Sequence, residues 1–248
     1  MYKLRIAAKI LIYLFIKMIW FSLIKIFRGK RYQRSWLNYN AVHWGTLCAN
    51  EVNLNIETFN YEVFDAVDWN RNVFIVANHQ SYIDIPAIYV SSRKIYGFLA
   101  KQELSWIPFL HFWMKTLDCV FIKRSRYISA IKRLKKLENL GEACKLAIFP
   151  EGTRSKNGKI GPFKSGALKI AWQLNAVLIP TIITGTRAAW EERKSIVKEF
   201  PIRVDFENAI DLKEIKEEIS FKEFFKAFES HFKDLHKAPG TQLAIDFS

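Results

Sequence analysis

The spacing of hydrophobic residues changes near residue 70, where short apolar runs begin to alternate with stretches of helical periodicity. Runs without polar alternation are typical of strands that are covered by helices on both faces. The predicted strands are Val73–Ala77, Ile95–Ala100, Val120–Lys123, Leu146–Phe149, Val177–Ile183 and Ile202–Phe206. The pattern therefore predicts an α/β fold with a mixed, largely parallel sheet flanked by helices, and ligands are expected at the carboxyl ends of its strands.

Helical spacing is found between these runs and near the carboxyl end of the chain. The predicted helices are Ile85–Ser91, Pro108–Lys115, Tyr127–Leu140 and Phe163–Leu174. Gly141 stands where a helix-ending glycine is expected, and Ser220 and Glu223 have the spacing of a capping box. Phenylalanines recur at helical spacing behind that box, and we interpret this stripe as packing and not as a ligand site.

The amino-terminal segment has a pattern of its own. It is mostly apolar from Leu4 to Phe27, yet it carries the cations Arg5, Lys9, Lys17 and Lys25. Its length could span a bilayer, and the cost of a central lysine, about 2.5–3.5 kcal/mol on insertion scales, does not exclude a span. The cations occupy little more than half of the helix circumference, which favours an amphipathic helix in the membrane interface.

The segment that follows, Trp36–Val52, is rich in Trp and Tyr, which suit the interfacial zone of a membrane. We therefore predict an N-terminal membrane-anchoring helical hairpin in residues 1–53 and an α/β domain in residues 54–248. A core helix with snorkelling lysines is the alternative. No small-residue cleavage site follows the apolar segment, so a secretory signal peptide is not expected.

The charge of the chain narrows the choice of partners. A formal net charge of +14 indicates an anionic partner: nucleic acid, an anionic membrane or a phosphorylated substrate. Nucleic acid is not favoured, because the N-terminal cations are interleaved with aliphatic residues. Cys48, Cys119 and Cys144 have no metal-like spacing and indicate reduced, mostly structural thiols. We expect no metal site.

The first candidate for chemistry is the run from Asn78 to Asp84, which follows the predicted strand Val73–Ala77. His79 falls at a strand end and Asp84 at a helix start, so the turn could bring the carboxylate to one imidazole nitrogen. The other nitrogen would then be the acceptor, as a general base requires. The alternative is that Asp84 only caps the helix and that His79 is a loop histidine with its hydrogen bonds satisfied.

The second candidate is the run from Phe149 to Ser155, where a strand ends in a tight loop with a flexible backbone at Gly152. Arg154 can bind a phosphate through two hydrogen bonds, and Thr153 and the loop amides can add donors. Glu151 could bond a substrate hydroxyl or hold Arg154. The alternative is a surface ion pair in a turn.

Two further cations stand at the ends of predicted strands. Lys101 ends the run that begins at Ile95, and Arg124 follows the run that begins at Val120. Both could add positive charge at the same edge of the sheet as the second candidate. Each could equally be a solvated strand-end charge.

These motifs occur in an order that resembles the glycerolipid acyltransferase family, in particular its 1-acyl-glycerol-3-phosphate acyltransferase branch. The resemblance covers roughly residues 73–185. It rests on Asn78–Asp84, Phe121–Arg124, Phe149–Ser155 and Ile179-Pro180. The Phe149–Ser155 run is highly specific, and its pairing with the His79/Asp84 spacing makes coincidence improbable.

The resemblance implies a role for each matching residue. His79 would be the general base and Asp84 its orienting partner. The positions implied in acceptor or phosphate binding are Lys101, Arg124, Glu151, Gly152 and Arg154, and Pro180 would shape the acyl site. Two positions depart from the family: Asp118 stands where the second block usually has glycine, and Ile183 where the fourth often has a second proline.

The function implied is transfer of a fatty acyl group from acyl carrier protein or coenzyme A to the sn-2 hydroxyl of lysophosphatidic acid, giving phosphatidic acid. No cofactor is expected beyond the acyl thioester. The expected place is a membrane, at its cytoplasmic face, with phospholipids as partners. The alternatives are another lysophospholipid or glycerol-3-phosphate as acceptor, or a non-catalytic basic membrane-binding protein.

Overall fold

A computed structural model describes residues 2–94, 96–122, 127–139, 142–194 and 199–239. The strands are β1 Leu54–Phe59, β2 Val73–Ala77, β3 Gly97–Lys101, β4 Val120–Ile122, β5 Lys145–Ile148, β6 Val177–Thr184, β7 Phe200–Phe206 and β8 Ile210–Asp211. The helices are α1 Tyr2–Phe27, α2 Lys30–Val52, α3 Tyr61–Ala66, α4 Asp84–Ser92, α5 Pro108–Thr116, α6 Tyr127–Glu138, α7 Ser165–Gln173, α8 Leu212–Glu218 and α9 Phe221–Lys237. Gly141 and Arg124 lie outside the described residues.

Within the described residues, the strands form one sheet in the order β1-β7-β6-β2-β5-β3-β4, and β8 also pairs with β6. β2 is paired in parallel with both β5 and β6, and the pairs β5–β3 and β3–β4 are parallel as well. The β6–β8 pair is antiparallel. The predicted α/β class with a mixed, largely parallel sheet is thus confirmed.

The apolar runs located the strands within a few residues, and β2 has the predicted bounds. The strands that the pattern missed are β1, where polar residues interrupt the apolar ones so that no continuous run forms, and β8, which has only two residues. The helices that it missed are α3 and α8, which are also short. A few residues do not establish a periodicity, so elements of this kind depend on tertiary pairing that the sequence does not display.

The described chain divides into two compact units, each made of three segments. The first comprises Met1–Glu57, Ser81–Ile95 and Thr184–Val204, and the second comprises Thr58–Gln80, Tyr96–Ile183 and Asp205–Ser248. We call them the helical unit and the sheet unit. The division into a membrane anchor in residues 1–53 and an α/β domain in residues 54–248 stays a prediction.

In the helical unit, α2 packs closely against α4. A Cβ added to Gly45 would lie 2.9 Å from the carbonyl oxygen of Pro86, so only glycine allows this approach. α1 is long and apolar enough to cross a membrane by length and composition. Its predicted apolar arc is exposed, with Ile12 at 61% and Ile26 at 73% relative exposure.

Lys17, the central cation of α1, lies against aromatic rings. Its Nζ is 5.4 Å from the ring centroid of Tyr13 and 5.7 Å from that of Trp36. The quadrupole of an aromatic ring attracts a cation at such distances. The charge that interrupts the apolar sequence of α1 is therefore directed towards aromatic faces within the helical unit.

The core of the sheet unit is built partly by α9. Its inward face carries four fully buried side chains, Phe224, Phe228, Phe232 and Leu235. The Phe163 ring lies 5.4 Å from that of Phe232 in an edge-on arrangement. The capping box at Ser220 and Glu223 is present. The phenylalanine stripe is therefore packing, as predicted.

Asp118 has the backbone conformation that glycine favours. Its φ of 57° lies in the left-handed region, in the turn between α5 and β4. Aspartate is among the few residues with a side chain that adopt this region readily. The departure from the family's usual glycine at this position thus leaves the turn geometry intact.

An ion pair in the sheet unit generates a prediction for stability. Arg71 holds Asp211 through two hydrogen bonds of 2.5 and 2.7 Å, and Asp211 also accepts from the Lys213 amide as the N-cap of α8. The hydrogen bond from Arg71 lowers the pKa of Asp211 below its ordinary value. Asp211→Asn should keep the cap, because asparagine is a good N-cap, but remove the charge.

We expect Asp211→Asn to lower the free energy of unfolding by about 1 kcal/mol at neutral pH, since water partly screens the pair. A carboxyl group with a lowered folded pKa stabilises the protein above its unfolded pKa, and this contribution is lost as pH falls through the folded value. Urea unfolding of both proteins in mild detergent at pH 7 and pH 3 measures it. An equal difference at both pH values would contradict the assignment.

Candidate active site

The candidate residues of the sheet unit follow the carboxyl ends of neighbouring parallel strands. His79 comes two residues after β2, the Phe149–Arg154 run follows β5, and Lys101 is the last residue of β3. Because β2 pairs with β5 and β5 with β3, all in parallel, these strand ends lie at one edge of the sheet. This edge is where parallel α/β proteins bind ligands.

His79 is held in place by the loop that follows β5. Its backbone N–H donates to Glu151 Oε1 at 2.9 Å, and its carbonyl oxygen accepts from the Ser155 N–H at 2.7 Å. Its imidazole stacks on the ring of Phe149, with centroids 4.0 Å apart and planes inclined by 16°. Three separate contacts therefore fix the candidate base through the second sequence motif.

Glu151 links two loops through backbone hydrogen bonds. Its second oxygen, Oε2, accepts from the Gly161 N–H at 2.9 Å, and the side chain is buried at 3% relative exposure. A buried carboxylate requires such charge-assisted bonds, because its desolvation would otherwise be unfavourable. These amide partners were not indicated by the sequence. A role of Glu151 in binding the acceptor stays a prediction.

A basic cavity lies beside Glu151. It has a volume of about 300 Å³, and its lining includes the cations Arg154, Lys156, Lys159 and Lys164 and the hydroxyl residues Thr153 and Ser155. Four cations against the single carboxylate of Glu151 give the lining an excess of positive charge. Such a lining suits a phosphate or another compact anion.

Gly152 allows the chain to turn beside this cavity. Its φ is 64°, in the left-handed region, and an added Cβ would lie 3.0 Å from Lys164 Nζ. A side chain here would strain the backbone and press on a cation of the cavity. The flexible backbone predicted at Gly152 is thus a fixed left-handed turn, and glycine keeps Lys164 in place.

Asp84 belongs to the helical unit, where it begins α4. Its carboxylate is fully buried, accepting from the Ser81 N–H at 2.8 Å and from the Thr186 hydroxyl at 2.6 Å. The N-cap of α4 is Ile83 and not Asp84. The pairing of Asp84 with the His79 imidazole stays a prediction.

Lys101 and Arg124, the other predicted cations, have different outcomes. The Lys101 side chain is exposed at the end of β3. Arg124 lies outside the described residues, so its part in the site stays a prediction. Among the described residues, no group of three or more His, Cys, Asp or Glu side chains could hold a metal ion.

Sequence reasoning missed residues that support the candidate base. The buried Asn78 side chain donates to the Ile183 carbonyl and accepts from the Ile183 N–H, both at 2.8 Å. Gln80 Nε2 donates to the Gly158 carbonyl and lies 3.0 Å from His236 Nε2. Burial lowers the pKa of His236, which favours the neutral ring as the acceptor. The signal available in the sequence was that an amide residue stands on each side of His79, namely Asn78 and Gln80.

Comparison with solved structures shows a similar protein over nearly the whole chain. The structure of a 1-acyl-sn-glycerophosphate (LPA) acyltransferase, PlsC, from Thermotoga maritima matches with a TM-score of 0.73 and 25% identity. The match covers 98% of this chain and 100% of the other.

Similar sequences are also named 1-acyl-sn-glycerol-3-phosphate acyltransferases. One from Cocos nucifera is 33% identical over 60% of this chain and 49% of its own length. A probable one from Mycoplasma pneumoniae is 35% identical over 52% of this chain and 50% of its own length. The matched part thus spans about half of each relative. The family model described as Acyltransferase matches residues 55–184, more than half of the 248 residues, and the chain therefore belongs to the acyltransferase family.

Proposed function

We propose that this protein acylates the sn-2 hydroxyl of lysophosphatidic acid with a fatty acyl group from an acyl thioester, giving phosphatidic acid. The observation that carries the proposal is the attachment of His79 to the loop that also lines the basic cavity. One loop thereby relates a candidate base to a candidate phosphate site. The names of the similar proteins support the same acceptor.

The proposed reaction is direct acyl transfer. His79 removes the proton of the acceptor hydroxyl while the oxygen attacks the thioester carbonyl carbon. The tetrahedral intermediate then expels the thiolate, which takes the proton from the imidazolium. In this proposal Asp84 stabilises the imidazolium, and Arg154 with Lys101 and Arg124 binds the acceptor phosphate.

The two buried thiols are poor candidates for a covalent acyl intermediate. Burial raises the pKa of both Cys48 and Cys119 to about 12. Thiols with such pKa values are protonated at neutral pH, whereas the thiolate is the nucleophilic form. Neither residue is therefore suited to carry the acyl group. The proposed transfer uses the acyl thioester as co-substrate and needs no further cofactor.

The proposed setting is a membrane at its cytoplasmic face, in phospholipid synthesis. A lipid acceptor and product remain in the bilayer, and the acyl donor, either acyl carrier protein or coenzyme A, arrives from water. The exposed apolar side of α1 supports this setting. The basic excess of the chain supports attraction to anionic lipids.

Removal of the candidate base gives the first test of the proposal. His79→Ala should reduce the rate of acyl transfer by about 10²–10⁴-fold, which is the usual contribution of a general base. The assay uses labelled acyl-coenzyme A and acyl carrier protein donors with lysophosphatidic acid, other lysophospholipids and glycerol-3-phosphate. Vesicle binding should persist, which controls for folding. Near-normal turnover by the variant would refute the role of His79.

The phosphate site gives a second test. Arg154→Ala should raise KM for lysophosphatidic acid by about tenfold or more, because a charge-assisted contact is worth about 1.5–3 kcal/mol. Transfer to monoacylglycerol, which has no phosphate, should change little. Lys222→Ala, an exposed cation of α9, serves as the matched control. Equal losses with both acceptors would show that Arg154 does not recognise phosphate.

The linkage through Glu151 gives a third test. Glu151→Gln replaces one accepting oxygen by a donor, so the amide of His79 or Gly161 loses its partner, at about 1–3 kcal/mol. We expect kcat to fall by about tenfold or more, with a smaller change in KM. Glu142→Gln, at an exposed carboxylate, is the control. A change confined to the KM of the phosphate acceptor would favour direct substrate binding instead.

A further inference from the structure

A short segment of the sheet unit presents large apolar side chains to solvent. We call Leu104–Ile107 the apolar turn. The relative exposures of Leu104, Trp106 and Ile107 are 36%, 71% and 51%. Exposure of several large apolar residues in sequence differs from the isolated exposed residues of ordinary surfaces and indicates a partner.

The apolar turn is held in this conformation by its own hydrogen bonds. The Ser105 hydroxyl donates to the Gln102 carbonyl at 2.6 Å and accepts from the Gln102 amide at 2.8 Å. Pro108 then starts α5, where its fixed φ suits the first helical turn. The turn is therefore already formed and exposes these side chains to solvent. It does not need to rearrange before a partner binds.

The position of the apolar turn places it at the edge of the sheet that carries the candidate site. It follows Lys101, the last residue of β3, and β3 is the parallel neighbour of β5. The loop after β5 contributes the four cations of the basic cavity. One edge of the sheet unit thus combines exposed Trp and aliphatic side chains with an excess of positive charge.

This combination favours an anionic bilayer over other apolar partners. Tryptophan is enriched at the interface between lipid chains and headgroups, and basic residues near an anionic surface add attraction. A purely apolar partner would gain nothing from the neighbouring cations. A nucleic acid would not require exposed aliphatic residues.

We propose that the apolar turn is a second membrane contact, which belongs to the sheet unit and is separate from α1. Its side chains enter the interfacial zone while the cations of the same edge meet the headgroups. This contact is supported by the exposure of the apolar turn together with the positive charge at the same edge of the sheet. Its benefit for catalysis rests on the proposed function: it directs the basic cavity towards the lipid surface from which a phosphorylated acceptor would come.

The direct test is an environment-sensitive fluorophore at residue 104. Leu104→Cys is prepared with Cys144→Ser, which leaves only the buried Cys48 and Cys119 as other thiols, and is labelled with a nitrobenzoxadiazole. The control is Asn70→Cys, an exposed position that precedes β2 at the opposite edge. Vesicles contain phosphatidylcholine and phosphatidylglycerol, with or without brominated chains.

We expect a blue shift and quenching by brominated lipid at position 104 and neither change at position 70. A label at 104 that stays in water on vesicle-bound protein would overturn the proposal. Shielding that depends on protein concentration and not on vesicles would also overturn it, because it would identify a second copy of the chain as the partner. None of these readouts requires enzymatic activity.

A functional test separates the contact from the chemistry. Trp106→Ser with Ile107→Ser should reduce transfer to an acceptor in vesicles by about tenfold, since two apolar side chains lose their interfacial burial. Transfer to a short-chain acceptor dissolved in water should be unchanged, and Trp106→Tyr should behave almost as the unaltered protein. Equal loss with both acceptors would assign these residues to the active site and refute the membrane contact.

Discussion

The candidate site depends on one buried carboxylate. Glu151 accepts hydrogen bonds from two backbone amides, those of His79 and Gly161, both at 2.9 Å. Its burial would be unfavourable without these bonds, and the bonds would be weaker if water had access to them. The arrangement is therefore all-or-none: the loops after β2 and β5 must meet for the charge to be accommodated. In this way an electrostatic requirement fixes the relative position of two strand ends.

The hydrogen bonding of Glu151 connects the candidate base with the candidate phosphate site, whose residues are far apart in the sequence. The loop that holds the backbone and ring of His79 is the loop that supplies Thr153 and Arg154 to the basic cavity. In the proposed reaction, the distance between base and phosphate site must match the distance between a hydroxyl and a phosphate on one small glycerol unit. Because a single loop carries both features, this distance does not depend on the arrangement of several separate segments.

Much of the fold could be predicted from the sequence, because buried parallel strands have continuous apolar runs and α9 has phenylalanine at three of its four buried positions. The candidate residues were also visible as motifs. What could not be predicted was their hydrogen bonding. Glu151 and His79 are 72 positions apart in sequence, and only the parallel pairing of β2 with β5 brings them together. β1 was missed because polar residues interrupt it, so that it forms no continuous apolar run.

The position of Lys17 has a consequence for the orientation of α1. Apolar contacts between two helices are non-directional, so they set the rotation of a helix about its own axis only weakly. Because Trp36 belongs to α2, a charge of α1 that lies over its ring favours one rotational setting of α1 against α2, whereas Tyr13 is on α1 and turns with it. A change of Lys17 to leucine would thus make the segment more apolar and yet less well oriented. The apolar character of α1 and its rotational setting are separate properties, and Lys17 contributes to the second while it reduces the first.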